Sequence, residues 1–274
     1  MKRKIGFILA LVLVSLLVVG TASAGLFDFL GASPSSSGND NSTFIVGFDA
    51  EFPPYGYQDD NGSYTGFDLD LAKEVCERNN WTFKAQPIDW DAKDAELESG
   101  SIDCIWNGFT IDGRENDYLW SNPYFDNKQI FVVKSDSGIN SIADLKGKTV
   151  ETQKDSSALA ALEGDNKTIA STFATLNQVA DYNTAFMDLE SGACDAVAMD
   201  IGVAEYDISK KNDTSAYSIL EEAITTEKYG IGFKKGNDAL KDQVQSTLDE
   251  MFKDGTVLKI AQKYGISEDA LIQP

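Results

Sequence analysis

The 274-residue sequence contains no histidine. Its absence removes the commonest general base, the commonest metal ligand and every nucleophile that depends on a neighbouring imidazole. Cysteine is scarce as well, and Cys76, Cys104 and Cys194 are scattered along the chain. Scattered thiols without histidine do not make a typical metal site, so we expect no metal and no cofactor. The odd number of cysteines, all inside predicted helices or strands, favours buried free thiols over a disulfide.

Positive charge is also in short supply. The chain has 23 lysines and arginines against 44 aspartates and glutamates, which gives a formal net charge of −21. This balance argues against a nucleic-acid partner, because few cations are present to neutralise phosphates. The acidic excess is typical of a soluble protein whose copies repel one another. No pattern in the sequence indicates an oligomer, and we expect a monomer.

The apolar run near the N-terminus is short for a membrane span. It covers residues 5–19, whereas a transmembrane helix needs about 20 residues. Basic residues at 2–4 precede it and the small residues Ala-Ser-Ala at 22–24 follow it. We predict a signal peptide at 1–24 and an extracytoplasmic protein, with an uncleaved anchor as the alternative. No cysteine follows the run to accept a lipid, and the Ser/Gly/Asn-rich segment 25–43 is expected to be a flexible linker.

Beyond the linker, β-rich and amphipathic segments alternate. Predicted strands at 44–50, 81–88 and 103–110 are separated by predicted helices at 68–79 and 91–98. This alternation is typical of an α/β fold with mainly parallel sheets that are covered by helices.

A short repeat divides the chain into two similar parts. Leu-Glu-Ser-Gly at 97–100 recurs at 189–192, and in both copies an aspartate, Asp103 or Asp195, starts an apolar strand. The shared order of helix, glycine, aspartate and strand predicts two lobes of similar topology. The alternative is a common helix-to-strand turn that the chain uses twice.

Two equivalent lobes would bring the ends of two strands opposite each other, at Gly108 and at Asp200. In open α/β sheets, ligands bind beyond the carboxyl ends of the strands. We therefore expect residues 107–114 and the surroundings of Asp200 to face a common cleft.

Six segments carry a resemblance to a known family. They are GFDAEFPPYGYQDDNGSYTGFDLDLAKEV (47–75), IDCIWNGFTIDGRE (102–115), WSNPYF (120–125), IADLKGKTV (142–150), YGIGFKKGN (229–237) and DGTVLKIAQKYG (254–265). In this order they resemble the polar amino-acid family of extracellular solute-binding proteins, the family 3 type of substrate-binding component of ABC transporters. The resemblance runs from residue 44 to residue 265. It implies the two-lobed periplasmic-binding-protein type II fold, with mainly parallel sheets and two hinge crossings.

The resemblance also implies domain boundaries and a mode of action. Lobe 1 would comprise 44–126 and 228–274, and lobe 2 would comprise 127–227. The hinge candidates are 125–129 and 225–228. Closure about hinges is a known behaviour of periplasmic binding proteins. We expect the ligand to bridge the lobes, and a membrane permease to recognise the closed form.

A free amino acid presents a carboxylate, which a planar guanidinium and backbone N–H groups bind well. Arg114 follows the predicted strand 103–110 and resembles the carboxylate-binding arginine of the family. The alternative is a surface arginine that pairs with Glu115 or Asp117. In this chain the spacing from Thr110 to Arg114 is one residue shorter than the common family pattern.

The segment 153–157 resembles the family's second carboxylate-binding element. Hydroxyl and N–H groups of Ser156 and Ser157 would bind the ligand, and Gln153 would lie beside them. Ser156 is also a good N-cap for a helix at 157–163, and the two roles are compatible. Asp155 replaces a usual glycine and would place an acid close to the ligand's carboxylate.

The ligand's ammonium requires acceptors. Asp200 resembles the ammonium-binding aspartate of the family, and the Gly108 carbonyl and the Thr110 hydroxyl would complete the set. The alternative role for an aspartate at the end of a strand is a turn residue or a helix cap.

The ligand's side chain would lie between Phe52 and Phe67, which match the aromatic walls of the family. Trp106 is a further candidate, and Tyr55 is expected in the core. Asp49 resembles the acid that faces basic ligands in some relatives.

Some relatives carry a lysine at the position of Gln153, so the predicted pocket lacks a second cation. We therefore expect a neutral polar or basic amino acid. The alternatives are a small dehydratase of the same fold and a freestanding chemosensory protein.

Overall fold

The computed structural model describes residues 42–273, which belong to one compact unit. The predicted signal peptide 1–24, and the predicted linker 25–43 except for its last two residues, lie outside this range. Within the described range, no helix has the length and apolar character needed to cross a bilayer.

Strands and helices alternate along the chain as the sequence predicts. The elements are β1 Thr43–Phe48, β2 Glu51–Phe52, β3 Gly56–Gln58, β4 Tyr64–Thr65, α1 Phe67–Asn79, β5 Thr82–Pro87, α2 Lys93–Ser99, β6 Cys104–Thr110, β7 Leu119–Trp120, β8 Phe125–Lys134, β9 Thr149–Gln153, α3 Ser157–Glu163, α4 Lys167–Ala170, β10 Thr175–Val179, α5 Tyr182–Ser191, β11 Ala196–Asp200, α6 Ile201–Ser209, β12 Tyr217–Ile219, β13 Thr225–Phe233, α7 Asp238–Lys253 and α8 Thr256–Lys263. Short 3₁₀ turns cover Trp90–Ala92, Ile142–Leu145, Thr214–Ala216 and Glu268–Ala270.

The main sheet has the strand order β10-β9-β11-β8-β13-β6-β1-β5. At one end, β1 pairs in parallel with β5 and β6, and we call this part with α1, α2, α7 and α8 the first lobe. At the other end, β9 pairs in parallel with β10 and β11, and we call this part with α3, α5 and α6 the second lobe. The fully buried β6 and β11 are typical of parallel sheets that are covered by helices on both faces.

Two long strands connect the lobes. β8 and β13 run antiparallel, and their paired residues extend from Thr225 opposite Gln129 to Tyr229 opposite Phe125. The two predicted hinge segments, 125–129 and 225–228, therefore lie side by side. The exact lobe boundaries and the movement about these strands remain predictions.

The glycine of the sequence repeat has the same role in both copies. Gly100 ends α2 and Gly192 ends α5, with φ values of 79° and 80°. Only glycine adopts this left-handed conformation at little cost, which is why it terminates both helices.

The aspartate of the repeat connects neighbouring strands in both lobes. The Asp103 carboxylate accepts a hydrogen bond of 2.7 Å from the backbone N–H of Ile45 in β1. In the second lobe, the Asp195 carboxylate accepts one of 2.8 Å from the N–H of Thr149 in β9. The repeated aspartate thus makes an equivalent hydrogen bond to the neighbouring strand in each lobe.

All three cysteines are buried free thiols, which confirms the expectation from the sequence. Burial raises the pKa of Cys76 and of Cys194 to about 12 and that of Cys104 well above its ordinary value. Thiols that stay protonated are poor nucleophiles, so these residues serve the packing of the core.

Asp68 is a buried acid that joins helix α1 to the end of β6. Its carboxylate accepts hydrogen bonds from the Gly108 N–H at 2.5 Å and from the Tyr124 hydroxyl at 2.8 Å. Burial raises its pKa from 3.8 to about 7, and the two hydrogen bonds oppose this rise. A neutral Asp68 is therefore favoured in the folded protein below about pH 7.

We predict that Asp68→Asn changes how stability depends on pH. Because the folded state of the wild type binds this proton more tightly than the unfolded state, its stability falls as the pH rises from about 4 to about 7. Asparagine resembles the neutral acid, so the variant should gain on the wild type by about 1 kcal/mol per pH unit in this range.

Urea unfolding of both proteins between pH 5 and pH 8 measures the difference. Asp70→Asn is the matched control, because Asp70 lies in the same turn of α1 but bonds to Lys263 and Tyr264 near the surface. An equal pH dependence for wild type and Asp68→Asn would contradict the prediction.

Candidate ligand-binding site

A small cavity lies between the two lobes, at the carboxyl ends of β6 and β11. The space inside it that a water-sized sphere can occupy is about 20 Å³, so the two lobes lie close together around it. The lining residues are Phe52, Trp90, Asn107, Gly108, Thr110, Arg114, Gln153, Ser156, Ser157, Tyr182 and Asp200. The structure therefore brings together most of the residues that the sequence predicts, from both lobes.

The end of β6 provides one wall of the cavity. Gly108 has φ +54°, and a Cβ atom at this position would lie 2.7 Å from a ring carbon of Phe52. A larger residue would therefore meet both backbone strain and a steric clash. Glycine lets the aromatic ring and the backbone of β6 approach each other at the edge of the cavity.

Arg114 lies in the loop after β6, and its guanidinium reaches across to the second lobe. It donates a hydrogen bond of 3.0 Å to the Asp155 carbonyl and a longer one of 3.4 Å to the Thr110 carbonyl. Its guanidinium carbon lies 5.3 Å from the centre of the Phe109 ring. Among the described residues, no ion pair involves Arg114, so the alternative pairing with Glu115 or Asp117 does not occur in this structure.

The second lobe contributes the turn between β9 and α3. The Ser156 side chain accepts a hydrogen bond of 3.1 Å from the Leu159 N–H, so it caps α3 and also lines the cavity. Gln153 donates to the Asp49 carboxylate at 2.5 Å and to the Ala180 carbonyl at 3.1 Å. The Gln153–Asp49 bond connects the two lobes beside the cavity.

Asp200 ends β11 and precedes α6, but its side chain does not cap that helix. It is 3% exposed and accepts hydrogen bonds from Asn127 at 2.7 Å, Gln129 at 2.7 Å and Tyr229 at 2.6 Å. Burial, and then the nearby charge of Glu227, raises its pKa to about 8. The helix-cap alternative is therefore wrong for the side chain of Asp200.

Glu227, on the crossing strand β13, is a second buried carboxylate beside Asp200. It accepts hydrogen bonds from Thr110 at 3.0 Å, Asn127 at 2.7 Å, Gln129 at 2.8 Å and Ser157 at 3.2 Å. Sequence reasoning placed this residue only in a hinge candidate. Its burial becomes evident only in the structure, where it shares the buried face of β13 with Tyr229.

Two predicted aromatic contacts are wrong for this cavity. Phe67 opens helix α1 and is fully buried, with ring centres 6.4 Å from Tyr124 and 6.0 Å from Phe125. Trp106 is equally buried and packs against Tyr124. Neither Phe67 nor Trp106 lines the cavity.

Asp49 and Tyr55 also lie outside the lining. Tyr55 is in the core, as expected, with its ring 5.3 Å from that of Tyr229. Asp49 borders a neighbouring acidic cleft and contacts two lining residues, since its carboxylate accepts from Gln153 and its backbone N–H donates to the Asn107 side-chain oxygen at 3.0 Å. Burial raises the pKa of Asp49.

Two lining residues, Trp90 and Tyr182, were missed by the sequence analysis. Asn107, the polar residue inside the apolar strand 103–110, lies in the segment 107–114 that was expected to face the cleft, although it was not singled out. Trp90 lies in a 3₁₀ turn and Tyr182 begins α5, where an aromatic residue gives no sign of its role. In the described part of the chain, no cluster of three side chains could hold a metal ion.

One ion pair spans the two lobes next to the cavity. Lys93, only 1% exposed, pairs with the carboxylate of Asp155, whose side chain is half exposed. The Lys93 ammonium also lies 5.2 Å from the centre of the Trp90 ring. The acid that replaces the usual glycine is thus neutralised by a lysine of the opposite lobe.

We predict that Lys93→Met weakens ligand binding without lowering the melting temperature. The pair joins the lobes only when they are close together, and methionine fills a similar buried volume. A partly exposed pair is worth up to about 1 kcal/mol, so the affinity should fall by up to about fivefold.

Calorimetric affinity and melting temperature, measured side by side, test this expectation. Lys234→Met is the matched control, because Lys234 pairs with Glu98 within the first lobe. Equal losses of affinity in the two variants would show that the interlobe position of Lys93 has no special effect.

Comparison with known proteins shows which families and proteins this chain resembles. The sequence profile of the bacterial extracellular solute-binding proteins, family 3, matches residues 44–267. The L-cystine-binding protein TcyJ of Escherichia coli strain K12 is 31% identical over 225 residues, which cover 81% of this chain and 82% of that protein.

Solved structures of other proteins share the fold of this chain over most of its length. A substrate-binding protein of an ABC uptake transporter from Streptococcus pneumoniae, with bound histidine, has a TM-score of 0.82 and 34% identity, covering 86% of this chain and 96% of its own. The ancestral amino-acid-binding protein AncCDT-1, a precursor of cyclohexadienyl dehydratase, has a TM-score of 0.73 and 30% identity, covering 81% and 95%.

Proposed function

The chain belongs to family 3 of the bacterial extracellular solute-binding proteins, and from this premise we propose that it captures a small amino acid for an ABC-type membrane permease. The two-lobed type II periplasmic-binding-protein fold predicted from the sequence is confirmed. The observation that carries the proposal is the cavity itself, whose lining has the guanidinium of Arg114 from one lobe and the buried carboxylate of Asp200 from the other.

Arg114 is our candidate for the ligand's carboxylate. Its guanidinium is free of carboxylate partners within residues 42–273 and lines the cavity. A bidentate pair with a carboxylate is stronger than the carbonyl contacts that Arg114 makes in this structure. Ser156 lies on the same lining and is placed to add a hydroxyl contact.

Asp200 is our candidate for the ligand's ammonium. Its carboxylate receives hydrogen bonds from neutral groups only, and the Gly108 and Thr110 positions lie on the same lining. An ammonium would supply the positive charge that these neutral donors lack. The Thr110 hydroxyl donates to Glu227, which leaves its oxygen able to accept from the ammonium.

The cavity favours a neutral polar or basic amino acid of modest size. Phe52, Trp90 and Tyr182 supply aromatic surface for the ligand's side chain. Arg114 is the one basic residue in the described lining, so a second carboxylate on the ligand would have no cation to meet. Gln153 contributes an amide where a cation would otherwise select an acidic ligand.

Closure would couple binding to transport. A ligand held by Arg114 of the first lobe and by Asp200 of the second lobe stabilises the closed arrangement over the open one. We propose β8 and β13 as the hinge strands, the closed form as the one that the permease recognises, and an exported monomer as the working state.

We further propose that the chain binds its ligand without transforming it. The rival is a dehydratase, and the raised pKa of Asp200 is a property that a general acid would also have. Incubation of the purified protein with a prephenate-like acid should give no turnover. Steady conversion that Asp200→Asn abolishes would support the enzyme instead.

We predict that Arg114→Lys weakens amino-acid binding at least about a hundredfold while the melting temperature of the empty protein stays the same. A lysine offers a point charge and cannot replace the planar pair of donors. A thermal-shift screen of the twenty amino acids first identifies the ligand, and calorimetry then compares the variants.

Arg78→Lys is the matched control for this experiment. Arg78 pairs with Glu74 and Asp254 on the first lobe, away from the cavity lining. We expect its affinity to equal that of the wild type. Unchanged affinity in Arg114→Lys would remove Arg114 from the site.

We also predict that Asp200→Asn lowers the affinity at least about tenfold. The change removes a charge-assisted hydrogen bond to the ammonium, which is worth about 1.5–3 kcal/mol. The matched control is Asp195→Asn, which should lower the melting temperature and leave the affinity unchanged because Asp195 bonds to the start of β9. The reverse pattern would make Asp200 a structural residue.

A further inference from the structure

We propose that Asp200 and Glu227 act as one carboxyl pair that holds a proton in the empty site and releases it when an ammonium group binds. In this arrangement Glu227 is a positioning residue, which links the cavity to the hinge strand β13. The inference rests on the proposed function, because the ammonium belongs to the amino-acid ligand.

The two carboxylates share their hydrogen-bond donors. The side-chain nitrogen of Asn127 lies 2.7 Å from an oxygen of Asp200 and 2.7 Å from an oxygen of Glu227. The side-chain nitrogen of Gln129 lies 2.7 Å and 2.8 Å from the same two oxygens. Two amides thus hold both oxygens in one small volume between the lobes.

The negative charge of the two carboxylates determines how the two amide groups are oriented. Asn127 and Gln129 both direct their N–H donors toward the carboxylates. Their own carbonyl oxygens are buried and find no partner among residues 42–273. An unsatisfied buried oxygen is costly, so the arrangement is favoured only because the carboxylates need these donors.

No lysine or arginine within residues 42–273 pairs with either carboxylate. Asp200 and Glu227 are 3% and 4% exposed, and neither takes part in an ion pair of the described residues. All of their donors are hydroxyls or amides. Two neighbouring carboxylates in a buried site cannot both stay ionised at low cost, and one bound proton removes most of the repulsion.

The other charged and titratable groups around the pair supply no positive charge that could take the place of the bound proton. Tyr229 donates to Asp200, and burial raises the pKa of Tyr55, Tyr182 and Tyr229 well above the ordinary range, so the three stay neutral. Asp68 is bonded to Gly108 and Tyr124, and Arg114 to two backbone carbonyls. Of the other charged groups on the packed elements, Asp126, Lys128, Glu163, Glu205 and Lys228 are exposed, and Lys134 and Asp207 are half-buried. Burial raises the pKa of Asp207 to about 7, but no hydrogen bond joins Asp207 to Asp200 or Glu227 among the described residues.

A bound ammonium changes this balance. It brings a full positive charge next to the pair, so both carboxylates can ionise and one proton passes to the solvent. Burial and the charge of Glu227 raise the pKa of Asp200 in the empty site. Where the pair holds its proton, binding displaces it, and the affinity should therefore rise with pH by up to about tenfold per unit.

The first measurement needs no ligand and no variant. In empty wild-type protein with ¹³C-labelled carboxyl groups, a side-chain carboxyl assigned to the pair should titrate well above the ordinary range of aspartate and glutamate. Two carboxyls that are both ionised by about pH 5 would overturn the proposal.

The second measurement uses L-arginine and L-glutamine as probes, because neither side chain titrates between about pH 6 and pH 8. Calorimetry in buffers of different ionisation enthalpy should show proton release approaching one per bound probe near pH 7. In Glu227→Gln the release should shrink and the affinity should depend less on pH. Glu151→Gln, a buried glutamate that bonds to Asn177, is the control that should match the wild type.

The outcomes separate the two proposals. If the probes bind with an affinity that does not depend on pH, or if Glu227→Gln loses the same factor of affinity at every pH, the proton coupling is wrong and the binding function stands. If no amino acid binds at any pH, the proposed function is wrong. The carboxyl titration then still shows whether the empty site holds a proton.

Discussion

The site depends on opposite charges that are kept from pairing with each other. Arg114 faces the cavity with backbone carbonyls as its partners, whereas Asp200 and Glu227 receive only neutral donors. Direct pairing would satisfy both charges and leave nothing for a ligand. In the binding mode proposed above, a zwitterion would satisfy both charges at once, and it would do so only by bridging the two lobes.

The same constraint connects the cavity to the crossing strands. Asn127 and Gln129 belong to β8 and Glu227 to β13, and all three occupy buried positions beside exposed neighbours of the same strands. Strand alternation therefore directs every second side chain of the predicted hinges toward the ligand site. A change in the charge of Asp200 would alter its electrostatic interactions with Asn127, Gln129 and Glu227, which lie on the strands that connect the lobes. Binding and lobe orientation can be coupled here without any long chain of intermediate contacts.

The sequence was most informative at positions where the local geometry allows only one type of residue. The repeat glycines predicted both helix ends, because only glycine fits the left-handed position, and the repeat aspartates predicted equivalent strand starts. Helix 157–163 was predicted with the bounds that the structure shows. Phe67 and Trp106 were misplaced because an aromatic residue in a motif fits a wall or a core equally well. Glu227 was overlooked as a site residue because a polar residue in an amphipathic strand usually faces solvent, and only the packing of β8 against β13 reveals that this face is buried.

The departure at Asp155 illustrates how the structure compensates for an unfavourable residue. Its φ of 54° lies in the left-handed region, which costs a non-glycine residue about 1–2 kcal/mol, and its charge would oppose a ligand's carboxylate. The backbone carbonyl nevertheless accepts from Arg114 and the carboxylate pairs with Lys93, so both polar groups of one residue bond to the first lobe. These two bonds can form only when the lobes approach each other. If the lobes move as proposed, the bonds of Asp155 favour the closed arrangement, and we expect them to add to the affinity for a ligand held between the lobes.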